Sequence, residues 1–225
     1  MKFGFNSSTL KTRVAVGSVV TALALTALQG CVPLIVGGAV LGGSLVATDR
    51  RTSGTQLEDE GIELRSGSRL REALPDRGHV NVTSYNRQIL LTGEVPTEED
   101  KKLVEQTVGR VENVQKVVNE LAVMLNTSFA ARSSDALVTG RVRASFVDAK
   151  DLYANAFKVV TERGVTHLMG RVSQREADRA TEIARGTSGV QKVVRIFEII
   201  SDDELQRQLP VPAKPSTAAS NPGGN

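Results

Sequence analysis

The chain has 225 residues, 24% charged and 40% hydrophobic, with a formal net charge of +3. That length allows one domain or two small ones, and a single cysteine excludes any disulfide within the chain. The whole positive excess comes from Lys2, Lys11 and Arg13, because residues 1–30 contain no acidic side chain. Beyond them the net charge is about zero, so the basic isoelectric point gives no argument for a nucleic-acid partner.

The basic start is followed by fifteen uncharged, mostly apolar residues, 14–28. That order is a secretory leader, and Leu28-Gln29-Gly30-Cys31 at its end resembles a bacterial lipobox. The resemblance implies cleavage before Cys31 and acylation of its thiol and new amine. Several acyl chains, at about 0.8 kcal/mol per buried CH2, hold a protein on a membrane where one is marginal. Residues 1–30 are then a signal peptide and residues 31–56 an acylated apolar segment and linker. Val32 is not the aspartate that retains lipoproteins on the inner membrane, which implies the periplasmic leaflet of the outer membrane. Two alternatives stay open, because Gln29 is polar where a small residue is preferred. One is a free thiol at Cys31. The other is an uncleaved membrane helix, since the apolar run continues to Thr48 and about 20 such residues span a bilayer. Pro33, Gly37-Gly38 and Gly42-Gly43 argue against that helix, each glycine costing about 1 kcal/mol relative to alanine.

From residue 57 the chain repeats itself. Residues 57–74 carry Ile62, Leu70, Ala73 and Leu74 on a partly apolar helical stripe. Val80-Asn81-Val82, a polar turn over residues 84–87, and the run from Ile89 to Val95 read as a β-hairpin. Alternation puts Ile89, Leu91 and Val95 on one face, and Gly93 inside a strand marks a bulge or a close backbone approach. Thr97 and Asp100 approximate a capping box ahead of a helix bearing Leu103, Val104, Val108 and Val111. Residues 114–118, Val-Gln-Lys-Val-Val, open a closing strand that ends near Met124. A Ser- and Ala-rich link, residues 126–134, follows. Asp135 then caps a helix with Val138, Val142 and Phe146 at i, i+4 and i+8. The second copy continues with Phe157-Lys158-Val159, a turn at Arg163-Gly164, and a strand with Leu168, Gly170 and Val172. A full capping box at Ser173 and Glu176 opens its next helix, and the string Val-Gln-Lys-Val-Val returns at residues 190–194. The predicted class is α+β: two tandem units over residues 57–127 and 134–200, each α-β-β-α-β with two helices on a three-stranded mixed sheet. The acidic, Pro- and Gly-rich tail, residues 201–225, is predicted to be disordered.

The glycine-marked strands, the capped helices and the paired Val-Gln-Lys-Val-Val strings resemble the BON domain, found in bacterial periplasmic and outer-membrane proteins. The stretch from Ala47 to Arg51 with Gly54-Thr55-Gln56 also resembles members that carry two such units behind a lipobox. The resemblance implies an envelope-integrity factor that binds anionic phospholipid and gathers at the division site, with no enzymatic chemistry and no cofactor. It places lipid contact on the first helix of the second unit. The candidates there are Leu137, Val138, Arg141 and Arg143, beside Gly140. The chain has no tryptophan, and Leu137 stands where a large aromatic would suit an interfacial anchor. Helical spacing makes Leu137 and Arg141 the better shared patch.

Charge supports the same assignment. Residues 49–127 hold 11 basic and 14 acidic side chains, whereas residues 128–200 hold 12 and 8. A basic module beside an acidic one suits an anionic surface, although an ordinary solvated surface would look the same. Neither His79 nor His167 has a second ligand at metal spacing, and both read as surface strand residues. Glu98-Glu99-Asp100 is favourable charge at a helix N-terminus, not a catalytic pair, and no phosphate loop or nucleophile elbow is present. The implied partners are a membrane reached through acyl chains, anionic phospholipid and envelope proteins. The alternative is a lipid-tethered, chaperone-like module that binds outer-membrane assembly factors through exposed sheet edges.

Overall fold

The first helix, α1 (Ser53–Ala73), starts where the Thr52 hydroxyl accepts a bond from the Thr55 amide at 3.1 Å. In the computed structural model, which describes residues 49–75 and 77–208, it runs unbroken through Gly61 and Gly67. Strands β1 (His79–Tyr85) and β2 (Gln88–Val95) then pair antiparallel through the two-residue turn Asn86-Arg87. Both turn residues have positive φ, 51° and 63°, the backbone that matches the twist of a two-residue hairpin. Helix α2 (Glu98–Gly109) is capped by the Thr97 hydroxyl, with three acidic residues in its first turn. The chain returns along β2 in parallel, as β3 (Lys116–Asn119) and β4 (Ala122–Val123). The interruption is made by Asn119, whose side-chain oxygen accepts from the Leu121 amide at 3.2 Å.

The second unit repeats this order. It consists of α3 (Phe129–Asp148), β5 (Phe157–Glu162), β6 (Val165–Val172), α4 (Gln174–Gly186) and β7 (Lys192–Ile199). Its sheet order is β5-β6-β7, antiparallel then parallel, with an unbroken third strand. The α-β-β-α-β units and the α+β class expected from the repeat are therefore present. So is the capping box of Ser173 and Glu176.

Three expectations need correction. Helix α3 begins at Phe129, capped by Ser128, so most of the expected link is helical and Asp135 lies inside the helix. Asp135 instead accepts bonds from the Arg163 and Gly164 amides, at 2.8 and 2.9 Å, and holds the β5–β6 turn. At the far end, α5 (Asp202–Gln208) forms the start of the expected disordered tail, because Ser201 Oγ accepts from the Glu204 amide and Glu204 pairs with Arg171. The rest of the tail, the leader, Cys31 and the apolar segment after it lie outside the described residues. Among the described residues no helix is long and apolar enough to cross a membrane.

Each unit has its own core between helices and sheet. The first joins Ile62 and Leu70 to Ile89, Leu91, Val95, Val104 and Val108. The second joins Val138, Val142 and Phe146 to Phe157, Leu168, Val172 and Ala180. A third cluster, Tyr85, Leu90, Met169 and Ile196, is contributed by the opposite sheet faces of both units. The central strands β2 and β6 thus bury both faces, and the units form one body across a seam.

Polar bonds frame that seam. Arg163 pairs with the fully buried Glu94 at 3.0 Å and donates to the Gly93 carbonyl, and Lys158 pairs with Glu63 at 2.8 Å. Asn81 donates to Glu162, Asn86 to Glu198, and the Tyr85 hydroxyl to the Ala156 carbonyl. His167 corrects the surface reading: it is 2% exposed in the seam, 3.8 Å from Glu120 of the other unit. Burial holds its imidazole below its ordinary value of 6.5, against the raising influence of Glu120. The unfolded chain therefore takes up a proton on His167 before the folded one does. Stability is expected to fall as pH drops from 7.5 to 5.5, by at most about 1.4 kcal/mol per pH unit. Glu162, raised by burial and by Glu94, works in the opposite sense at lower pH, where the folded state protonates first. Urea midpoints across that range should decline in the wild type and flatten in His167→Phe. An equal slope in both would contradict this assignment.

Candidate functional site

The exposed face of α3 follows from which of its positions the core consumes. Val138, Val142 and Phe146 point inward, so positions about 180° away face solvent. Leu137, Gly140, Ala144 and Val147 are all exposed, Leu137 by 64% and Val147 by 71%. They fall within about 80° of one another at 3.6 residues per turn. Phe129 lies eighteen residues before Val147, five turns earlier on the same line, and is 79% exposed. The result is an apolar stripe along most of the helix, with an open surface at Gly140, where a Cβ would meet nothing within 4 Å.

The four expected lipid contacts separate on this helix. Leu137 lies on the stripe. Val138 is 3% exposed and packed in the core, so it is not a surface contact, and that expectation is corrected. Arg141 is exposed, yet its guanidinium donates to the Ser188 carbonyl at 3.4 Å. Arg143 flanks the other side of the stripe and lines a cavity of about 500 Å³ with Val147 and Phe157. Among the described residues, the Arg143 guanidinium has no hydrogen-bond or ion-pair partner. Leu137 and Arg143 are thus the freer residues, rather than Leu137 and Arg141. Phe129 and Val147 lie beyond the two ends of the stretch expected to be helical, before Asp135 and after Phe146; once the true bounds are known, their eighteen-residue spacing is the signal.

A second group, not assigned a role from the sequence, fixes the chain that enters this body. Arg50 donates two bonds to Glu176, at 2.6 and 2.8 Å, and a third to the Arg171 carbonyl. Both side chains of the pair are almost wholly buried. Burial works against the Glu176 carboxylate, but the Arg50 and Ser173 bonds hold it below the usual carboxylate range. Arg51 turns the other way, pairing with Asp49 at 2.7 Å and Asp59 at 2.9 Å and lying 4.3 Å over the Tyr85 ring. Burial in that corner pushes the Tyr85 hydroxyl up to about 12. Adjacent arginines therefore latch one segment to both units, Arg50 to the second and Arg51 to the first.

Asp59 is the hub of the first-unit half. It is 2% exposed and accepts from Ser84 Oγ and the Asn86 and Arg87 amides, at 2.7, 2.7 and 2.8 Å. Asp135 does the same for the other hairpin, seventy-six residues later. Aligning the first helices of the two units at the seventy-six-residue offset pairs these two aspartates.

The family comparison agrees with this architecture. The BON domain family model matches residues 58–124 and 134–200. The chain is 39% identical over 176 residues to the outer membrane lipoprotein DolP of Haemophilus influenzae, covering 77% of this chain and 90% of that protein. It is 30% identical over 154 residues to a 21 kDa hemolysin of Actinobacillus pleuropneumoniae, covering 68% and 79%. A solved C-terminal domain of CdsD, a structural protein of the type III secretion system of Chlamydia trachomatis, aligns with a TM-score of 0.26 at 10% identity. That alignment covers 61% of this chain and 96% of the domain. With two family matches spanning more than half its length, latched back to back, the chain belongs to the BON-domain family.

Proposed function

We propose that this protein is an outer-membrane lipoprotein, anchored through Cys31, whose second BON unit binds anionic phospholipid through the exposed face of α3. The single observation that carries the reading is the solvent-facing stripe of Phe129, Leu137, Ala144 and Val147 beside Arg143, a cation without an ion-pair partner among the described residues. An apolar helix face flanked by arginines suits a membrane interface, and each basic residue near an anionic surface contributes about 1 kcal/mol. Likeness to a relative named an outer membrane lipoprotein supports the location, and the lipobox-like end of the leader supports the anchor. The same contact gives the protein its role in envelope integrity and at the division site, a reading supported by the family resemblance. The protein carries out no chemistry of its own in this role.

Leu137→Asp tests the reading directly. Burying a leucine side chain contributes about 1.5–3 kcal/mol, so the substitution should weaken binding to anionic vesicles at least about tenfold. Because Leu137 is exposed, the unfolding free energy should shift by no more than about 0.5 kcal/mol. Unchanged vesicle affinity in a folded Leu137→Asp protein would remove α3 from the lipid contact.

A further inference from the structure

The two copies of the repeat diverge at one position of their third strands. Both open with Val-Gln-Lys-Val-Val, and the next residue is Asn119 in the first copy and Arg195 in the second. Asn119 turns its side chain onto the Lys101 carbonyl, Glu105 and the Leu121 amide, and the strand breaks into β3 and β4. Arg195 instead pairs with Asp178 of α4, and β7 runs on for eight residues. This strand pairs only with β6, so its other edge is open. The Ile200 amide donates to the Val172 carbonyl, and successive residues of a strand aim their main-chain groups to opposite sides. Val194, Ile196 and Glu198 therefore bond to β6, whereas Val193, Arg195, Phe197 and Ile199 present N–H and C=O to the open edge. Among the described residues, none of these four has a hydrogen-bond partner for its main chain there. The edges of β1 and β5 are partly occupied. Ser84 uses its amide on Glu63 and its carbonyl on Lys158, and the Thr161 amide donates to Thr139.

We propose that the open edge of β7 receives an extended segment of a second protein, added as a fourth strand with an acidic residue opposite Arg195. An open edge of this length pairs with another chain unless it is blunted, and the first copy of the repeat shows the blunted form. Donors and acceptors at every second residue are the complement of an extended backbone, the mode in which a peptide joins a sheet. Side chains then select the segment. Val193, Arg195 and Phe197 share one face of β7, so the matching strand is apolar, acidic and apolar at alternate positions. Arg195 has donors to spare, because Asp178 takes one of its five. A second copy of this chain fits poorly. Two β7 strands paired antiparallel with Val193 opposite Phe197 set Arg195 against Arg195, and like charges directly opposite are destabilising. β7 lies at the far edge of its sheet from β5, and the inference is independent of the lipid reading.

The test uses residues 49–225, because both cores, the seam and the latch close within residues 49–208. The probe is the peptide acetyl-Thr-Val-Thr-Glu-Thr-Val-Thr-amide. It is compared with the same peptide carrying Lys in place of Glu, and with one N-methylated at the Glu, following NMR shifts and amide hydrogen exchange. The expected result is slowed exchange at Val193, Arg195 and Phe197, while Val194 and Ile196 are slow without peptide. The Lys peptide and the N-methylated peptide should each bind about fivefold more weakly. Arg195→Gln should make the Glu and Lys peptides equal, and Arg195→Glu should reverse their order. Arg195 is exposed, and unchanged urea midpoints confirm that both variants fold. Equal binding of the N-methylated peptide, or the same order of peptides in Arg195→Glu, would overturn the proposal. Shifts along β7 on raising the protein concentration without peptide would also overturn it, giving the edge to a second copy. No binding of any peptide would overturn it too, and would leave the vesicle test of Leu137→Asp unaffected.

Discussion

Asp59→Ala is expected to lower the unfolding free energy by about 3–5 kcal/mol, the cost of removing one partner from a buried ionic network. The carboxylate serves four groups at once: Ser84 Oγ, the amides of Asn86 and Arg87, and the Arg51 guanidinium. The two amides belong to a turn in which neither residue is glycine, though both have positive φ. Non-glycine residues enter that region at a cost of about 1–3 kcal/mol each, and the carboxylate offsets it. Its loss also leaves Arg51 beside Tyr85 with Asp49 as its remaining ion-pair partner. Burial opposes the Arg51 charge, and the bonds to Asp49 and Asp59 together raise its pKa above the ordinary value. For a body of this size the change should lower Tm by about 10 °C. Asp135→Ala should cost less, because that carboxylate accepts two turn amides and one of them belongs to Gly164. Urea unfolding of both variants checks the order. A loss below about 1 kcal/mol in Asp59→Ala would contradict its role as a hub.

Gly93→Ala should be comparably damaging, about 4 kcal/mol or more, which places it in the far tail of single substitutions. Gly93 has φ of 112° within β2, and a Cβ there would lie 1.9 Å from the His79 carbonyl oxygen and 3.0 Å from its carbon. Those atoms are main chain of the paired strand β1, where Val80 stands opposite Gly93, so no side-chain rotation relieves the contact. Separating the strands there would also disturb the Gly93 carbonyl that Arg163 reaches across the seam. Gly170, the equivalent in the second copy, is tight as well, its Cβ 2.6 Å from the Ala156 oxygen, but its φ is not positive. Gly140→Ala is the internal control. It adds a methyl into open space on a helix and should stabilise by about 1 kcal/mol. Equal effects at Gly93 and Gly140 would show that helix and strand propensity, not backbone contact, governs both positions.

The sequence carried most of the fold because the repeat printed each local rule twice. Turn residues, capping residues and the period-2 faces of β2 and β6 agreed between copies, so Ile89, Leu91, Leu168 and Val172 could be placed in their cores. The seam was not legible from alternation. Leu90 and Met169 occupy the face that period-2 counting leaves for solvent, and they are buried against the other unit. Consecutive apolar residues at Ile89-Leu90-Leu91 were the available sign, since a strand buried on both faces loses its alternation. His167 went wrong for the same reason. Asp135 was misread because an aspartate before an apolar stripe satisfies the rule for a helix cap. Its actual partners, two turn amides, are contributed by a hairpin that local sequence rules cannot reach. The latch was out of reach for a further reason: Arg50 and Glu176 are 126 residues apart.

The exposed face of α3, proposed as the lipid contact, was partly legible. Leu137 and Arg143 were named from the helix they sit on, but which side of α3 faces solvent depends on where the helix begins and what it packs against. That dependence separates Val138 from Leu137, neighbours in sequence with opposite fates.

On the proposed function, the folded body recognises anionic phospholipid without its acyl anchor. Its most direct test is co-sedimentation of residues 49–225 with phosphatidylcholine vesicles containing graded phosphatidylglycerol. Binding is expected to rise with anionic content, weaken with added salt, and be lost in Leu137→Asp. Equal binding to purely zwitterionic and strongly anionic vesicles, or none to either, would contradict it and leave the proposed acyl anchor at Cys31 to account for membrane association.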